Sequence, residues 1–189
     1  MYGLEPILET MLNVSIVIPA WNEQERINDC LLNATRQTVM PHEVIVVDNR
    51  STDSTVAVVE QFMKDHPEAP VKLLHQDDEQ GLIPTRDYGL NHATGDILGR
   101  FDADCMIRPD WVEVVSGIFT EDPDAMGATG PVMYYDLPSL PFCCVGIIPH
   151  ASVFTRPMAA SRCCLARIWR SALQLGAKFL TKCAETRPM

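Results

Sequence analysis

The 189-residue sequence is most informative at first for what it lacks. Positive charge is scarce: 15 basic against 25 acidic side chains give a formal net charge of −10, which argues against nonspecific nucleic-acid binding. Long apolar runs are missing. Residues 141–154 are too few to cross a bilayer and include Pro149 and His150. A basic start is missing too, since residues 1–13 hold Glu5 and Glu9 and read as a short lead-in, not a targeting signal. The seven cysteines form no C-x-x-C pair; Cys143-Cys144 and Cys163-Cys164 are adjacent, and the count is odd. That pattern disfavours both a zinc knuckle and an extracellular disulfide framework, and leads us to expect reduced thiols in a cytoplasmic protein. No G-x-G-x-x-G follows the first apolar run, which disfavours a dinucleotide-dependent oxidoreductase.

What is present is an alternation of short β-branched runs with amphipathic stretches. Val14-Ser15-Ile16-Val17-Ile18-Pro19, Glu43-Val44-Ile45-Val46-Val47 and Val71-Lys72-Leu73-Leu74 predict buried strands, joined by strands at 96–101 and 125–133. Helices are expected over 25–37, over a stretch with apolar Val56, Val59, Phe62 and Met63, over roughly 85–93, and after Arg108-Pro109-Asp110-Trp111. Ser51 or Thr52 is the expected cap of the second helix, with Asp53 at its positive end. Strands alternating with helices of about ten to fifteen residues mean βαβ units and a mostly parallel sheet. The length suits one domain.

The stretch that organises the rest is Gly95-Asp96-Ile97-Leu98-Gly99-Arg100-Phe101-Asp102-Ala103-Asp104-Cys105. An apolar run ends in two carboxylates with one residue between them. In a strand such residues share a face, so Asp102 and Asp104 at its carboxyl end would reach one cation together. Two protein oxygens leave the other positions of Mg²⁺ or Mn²⁺ for water and a substrate diphosphate. Taken alone, D-x-D is equally a pair of turn-capping acids.

Four ordered pieces carry a resemblance: V-S-I-V-I-P-A-W-N-E at 14–23, V-I-V-V-D-N-R-S-T-D-S-T at 44–55, G-L-I-P-T-R-D-Y-G-L-N-H-A-T-G-D at 81–96 and F-D-A-D at 101–104. In this the chain resembles the family-2 glycosyltransferases over residues 13–135. The resemblance implies an α/β fold of the GT-A (Rossmann-like) kind, a single domain with a mostly parallel central sheet flanked by helices. It implies transfer of a sugar from a nucleotide-diphospho-sugar donor, typically a UDP-sugar, to a glycan, lipid or protein acceptor, with Mn²⁺ or Mg²⁺ and inversion. By that resemblance Pro19, Ala20 and Glu23 line the nucleotide pocket and Trp21 stands at its rim. Asp48 accepts hydrogen bonds from the base, and Arg86 lies near base or diphosphate. Asp102 faces ribose and metal, and Asp104 is the direct metal ligand.

Plainer readings of the same residues stay open. Asp48 also suits a turn, Asp53 a helix cap and Glu23 a helix first turn. Arg86 also suits a solvated helix face or a pair with Asp87. Trp21 and Trp111 read as packing residues, and His75, His92 and His150 as structural or exposed. Asp87 and Thr85 depart from the asparagine and alanine usual in the family, and Arg50 from a small residue; Asp87 adds negative charge beside a diphosphate site.

The composition breaks after Asp136. Residues 1–136 carry 24 acidic and 8 basic side chains, whereas residues 137–189 carry one acid, Glu185, and 7 basic residues. Between Asp136 and Glu185 there is no Asp or Glu, so the acidic base that the family places beyond D-x-D has no candidate there. The expectation is a nucleotide-holding half over 13–135 and an altered or incomplete segment over 136–189. In that segment Leu165, Ile168, Trp169, Ala172, Leu173, Gly176, Phe179 and Leu180 share a helical face, with basic residues across 162–182 mostly elsewhere. Such a helix suits either the inner face of a membrane or the domain's own core.

Overall fold

The structure is a computed structural model that describes residues 12–129 and 167–170. Its elements run β1 (Val14–Ala20), α1 (Ile27–Thr35), β2 (Glu43–Asp48), α2 (Thr55–Asp65), β3 (Val71–His75), α3 (Leu82–His92), β4 (Ile97–Arg100), α4 (Trp111–Glu121), β5 (Gly127–Thr129) and β6 (Arg167–Arg170). They form one α/β domain around a sheet of order β3-β2-β1-β4-β6-β5. The first four strands in that order are parallel, and β6 runs antiparallel to both β4 and β5.

Every residue of β1 and β2 is buried, so both faces of the sheet need cover. Side chains alternate along the strands and sort into two cores. Val14, Ile16 and Ile18 with Val44 and Val46 share one core with Ile27 and Leu31 of α1, Phe62 of α2 and Phe119 of α4. Val17, Ile45 and Val47 pack on the other side with Tyr88 and Leu90 of α3. The layering follows from handedness. The chain steps one way along the sheet from β1 to β3, then returns across β1 to β4. A right-handed crossover therefore puts α3 on the opposite face from α1 and α2. The helix seats closely because residue 89 is glycine: a Cβ there would stand 2.4 Å from Val17 Cγ1 and 2.8 Å from Val47 Cγ2.

The amino-terminal edge of the sheet is tied by one buried carboxylate. Glu43, 1 % exposed, accepts hydrogen bonds from Ser15 Oγ (2.6 Å), from the Thr94 N–H and hydroxyl (2.6 and 2.9 Å) and from Lys72 Nζ (2.8 Å). Gly95 N–H in turn donates to Ser15 Oγ at 2.8 Å. Burial pushes the Glu43 carboxyl up, but the hydrogen bonds from Lys72, Ser15 and Thr94 outweigh it and bring the pKa to about 2.

Four sequence expectations need correction. β4 stops at Arg100, so Asp102 and Asp104 lie not on a strand but on a turn closed by Cys105 N–H to the Asp102 carbonyl at 3.0 Å. The start of α2 is served by neither Ser51 nor Thr52: the cap position is Ser54, whose side chain makes no capping bond, and Asp53 Oδ1 accepts from the Thr55 N–H at 2.9 Å. Within the stretch read as a basic helix, the described residues Arg167–Arg170 are a strand, because β4 would otherwise be an open edge; the remainder of 162–182 lies outside the described residues. Cys105 is disulfide-bonded, so its thiol is not reduced as expected, while Cys30 is free and buried. Of the strand expected over 125–133, Gly127–Thr129 is formed and residues 130–133 lie outside the described residues.

Candidate functional site

The sheet order changes direction at β1, which has β2 on one side and β4 on the other. Open α/β sheets leave a crevice beyond the carboxyl ends of the strands at such a point. A cavity of about 630 Å³ occupies it here. Pro19, Ala20, Trp21 and Glu23 line it from β1 and the loop after it; Asn49 follows β2; Gln80, Gly81, Leu82 and Thr85 come from the start of α3; Asp102, Ala103 and Asp104 follow β4.

The loops after β1 and β2 are locked to one another. Asn22, in the left-handed region at φ 55°, accepts from Thr52 N–H at 2.8 Å and donates its own N–H to Ser51 Oγ at 3.0 Å. Glu23 N–H donates to Thr55 Oγ1 at 2.8 Å, and Gln24 N–H to Asp53 Oδ2 at 3.2 Å. With its amide fixed in this way, the Glu23 carboxyl faces the cavity beside two other acids. Burial, then the charge of Asp104, and further Asp53 and Asp102, push its pKa up against the pull of Arg26. The same acids reach Cys30 beneath: burial first, then Asp104, Glu23 and Asp102, push that thiol far up and keep it inert.

Asp102 is neutralised from within the protein. Arg86 Nη2 donates to its Oδ1 at 2.9 Å, and Arg100 Nη1 lies 3.9 Å from the same oxygen. Arg86 is thus neither a solvated helix residue nor paired with Asp87; it joins α3 to the acidic turn, and its Nε is buried without a hydrogen-bond partner. Among the described residues, no three His, Cys, Asp or Glu side chains gather closely enough to hold a metal by themselves. The cavity offers Asp104, with Asp102 beside it, which is the donor set of a cation that takes its remaining ligands from a bound phosphate.

Six of the residues singled out in the sequence, Pro19, Ala20, Trp21, Glu23, Asp102 and Asp104, meet at the cavity. Trp21 is 55 % exposed there and is no packing residue, whereas Trp111 is one: it stacks edge-on against Phe101 at 5.8 Å. Asp48 and Arg86 do not line the cavity. Asp48 Oδ2 accepts weakly from Ser51 N–H at 3.3 Å and lies 3.9 Å from His75 Nδ1, while its buried Oδ1 has no hydrogen-bond partner. The cavity is met instead by Asn49, which the sequence reading passed over. Strand periodicity carried the signal: Asp48 continues the Val44 and Val46 face, and position 49 continues the Ile45 and Val47 face that α3 covers.

With this geometry in hand, known proteins supply a context. The family model described as Glycosyl transferase family 2 matches residues 15–138. The chain is 37 % identical to the glycosyltransferase AglE of Haloferax volcanii over 106 residues, which is 55 % of this chain and 34 % of AglE. It is 31 % identical over 109 residues to the chondroitin synthase of Escherichia coli, covering 58 % of this chain and 16 % of that protein. The chain therefore spans about a third, or less, of the length of these relatives. Among solved structures, the mannosyltransferase PcManGT of Pyrobaculum calidifontis, in complex with GDP-Man and Mn²⁺, superposes with a TM-score of 0.58 at 29 % identity, over 65 % of this chain and 36 % of that one. S. aureus TarS in complex with UDP-GlcNAc shares the fold with a TM-score of 0.65 at 20 % identity, over 87 % of this chain and 47 % of that one.

Proposed function

The chain belongs to glycosyl transferase family 2, and from that membership we propose that its cavity binds a nucleotide-diphospho-sugar, with UDP as the nucleotide, for transfer of the sugar to an acceptor with inversion. The single observation that carries this reading is the convergence of the loops after β1, β2 and β4 and the start of α3 on one cavity at the sheet's crevice. Trp21, flat and exposed at the cavity, suits a base or sugar face. Asp104, with Asp102, would hold Mn²⁺ or Mg²⁺ against the diphosphate. That cation would neutralise charge on the departing phosphate as a Lewis acid. The protein's own part is to orient these groups: Arg86 fixes Asp102, and the hydrogen bonds that the Glu23 and Gln24 N–H groups donate to Thr55 Oγ1 and Asp53 Oδ2 fix the chain there. The likeness to a mannosyltransferase holding GDP-Man and Mn²⁺ supports nucleotide and cation together. Among the described residues no helix is long and apolar enough to cross a membrane.

A second reading rests on one observation, the absence of Asp or Glu between Asp136 and Glu185. On that reading the domain holds the nucleotide without efficient transfer. Calorimetric titration of UDP, with and without Mn²⁺, tests the shared core of both. We expect Mn²⁺-dependent binding that Asp104→Ala abolishes. A folded protein that binds neither UDP nor GDP would overturn the reading. Release of free sugar from UDP-sugars by the binding-competent protein then separates transferase from holder.

A further inference from the structure

We propose that Asn49 is the positioning residue that holds segment 76–81 as one wall of the cavity, and that its amide thereby sets nucleotide affinity; this rests on the nucleotide reading above. Asn49 is 3 % exposed and uses both halves of its amide on that segment. Its Nδ2 donates to the Gln76 carbonyl at 2.6 Å and to the Glu79 carbonyl at 3.0 Å, and its Oδ1 accepts from the Gly81 N–H at 2.8 Å. The partners fix the amide's orientation without ambiguity, since two are acceptors and one is a donor. The Asn49 N–H donates to the Ala20 carbonyl at 3.0 Å, so the anchor is itself held to β1.

The segment needs such an anchor. It has no regular secondary structure, and Asp77, Asp78 and Glu79 place three like charges in a row. Gln76, also buried, turns it inward by accepting from the Asp78 N–H at 2.7 Å, and the Arg50 guanidinium, on a residue at φ 60°, donates to the Asp77 carbonyl. The segment ends at Gly81, whose φ of 148° favours glycine and whose carbonyl accepts from Thr85 N–H and Oγ1 at the start of α3. Five residues beyond Gly81, α3 carries Arg86 to Asp102. One side chain therefore couples the wall formed by Gln80, Gly81 and Leu82 to the acidic turn opposite. Only an amide of this length supplies two donors and one acceptor at once. Aspartate has the same shape but, ionised, turns both donated bonds into contacts between oxygens.

The test uses the full 189-residue chain and UDP as probe, with Asn49→Asp and Asn49→Ala. At pH 8 we expect Asn49→Asp to weaken UDP by roughly tenfold or more and to speed deuterium exchange over 76–81, with exchange in β1 and β2 unchanged. Buried against two carbonyl oxygens, the new carboxyl is pushed up, so as pH falls from 8 to 5 it takes up a proton, regains one donor, and the ratio of variant to wild-type affinity should narrow; Asp48, His75, Asp77, Asp78 and Glu79 titrate around the position and Arg50 stays charged there, and Asn49→Ala reports their own effect. Asn49→Ala should weaken UDP with a ratio that does not change with pH, and it serves alone if the aspartate variant does not fold. Wild-type binding with unaltered affinity and exchange in the variants overturns this inference and spares the nucleotide reading. Wild-type failure to bind UDP and GDP overturns both.

Discussion

Strand β2 begins and ends on a buried acid, and the two are treated in opposite ways. Glu43 at its start is 1 % exposed and accepts four hydrogen bonds, one from a lysine. Asp48 at its end is 3 % exposed, accepts one long hydrogen bond and leaves an oxygen without any. A buried carboxylate without donors is costly, so the difference is not one of solvent access but of provision. One edge of the sheet spends its polar groups on holding strands together. The other edge leaves carboxylates crowded, as at Glu23 on the cavity, or under-provided, as at Asp48, which does not line it. The two ends of one strand of 6 residues thus differ in how a buried carboxyl is provided with donors.

The comparison breaks most readily at Glu43. Glu43→Ala should cost about 2–4 kcal/mol in denaturant unfolding, since it leaves the Ser15 hydroxyl and the Thr94 N–H without their acceptor and opens the strand edge, while the exposed Lys72 ammonium stays hydrated; UDP affinity of the folded fraction should be unchanged. The pH dependence carries a defined sign. The folded pKa, about 2, lies below the ordinary carboxylate value of 4.5, so the contribution is present above pH 4.5 and is lost as pH falls toward 2. A wild-type acid transition in that window that the variant lacks would confirm it. Gly89→Ala comes next. Its methyl would meet Val17 and Val47, and lifting α3 should cost about 1–3 kcal/mol in thermal unfolding. Because α3 carries Arg86, nucleotide binding should weaken with it, unlike in the Glu43 variant. The smallest effect on stability belongs to Asp48→Asn, within about 1 kcal/mol in the same unfolding experiment, since one of its oxygens contributes no bond. Strong destabilisation by Asp48→Asn would erase the contrast between the two ends.

The strands were legible because β-branched runs such as 14–18 and 44–47 are buried on both faces, and such runs have few other ways to fold. The acidic turn was found but misplaced: Arg100 and Phe101 continue the apolar run by eye, while the paired strand ends one residue earlier than the pattern does. Arg86 could be named as a site residue but not given its partner, because the contact with Asp102 depends on α3 crossing to the second face. Asn49 went unnoticed beside a more conspicuous aspartate, although alternation along β2 pointed to it. Strand β6 was the hardest. Its pairing with β4 joins Ile97 to Arg170 and Arg100 to Arg167, far apart in sequence, and Arg167–Arg170 has no local pattern that prefers a strand to one turn of helix.

The knot of bonds around Glu43 also has a timetable. Its members are drawn from positions 15, 43, 72, 94 and 95, so they leave the ribosome far apart in time. Until Thr94 has emerged, the carboxylate lacks two of its four donors, and closing β1 against β2 would bury it half-provided. Closing this edge of the sheet therefore calls for Thr94, just ahead of β4, as well as for β1 and β2.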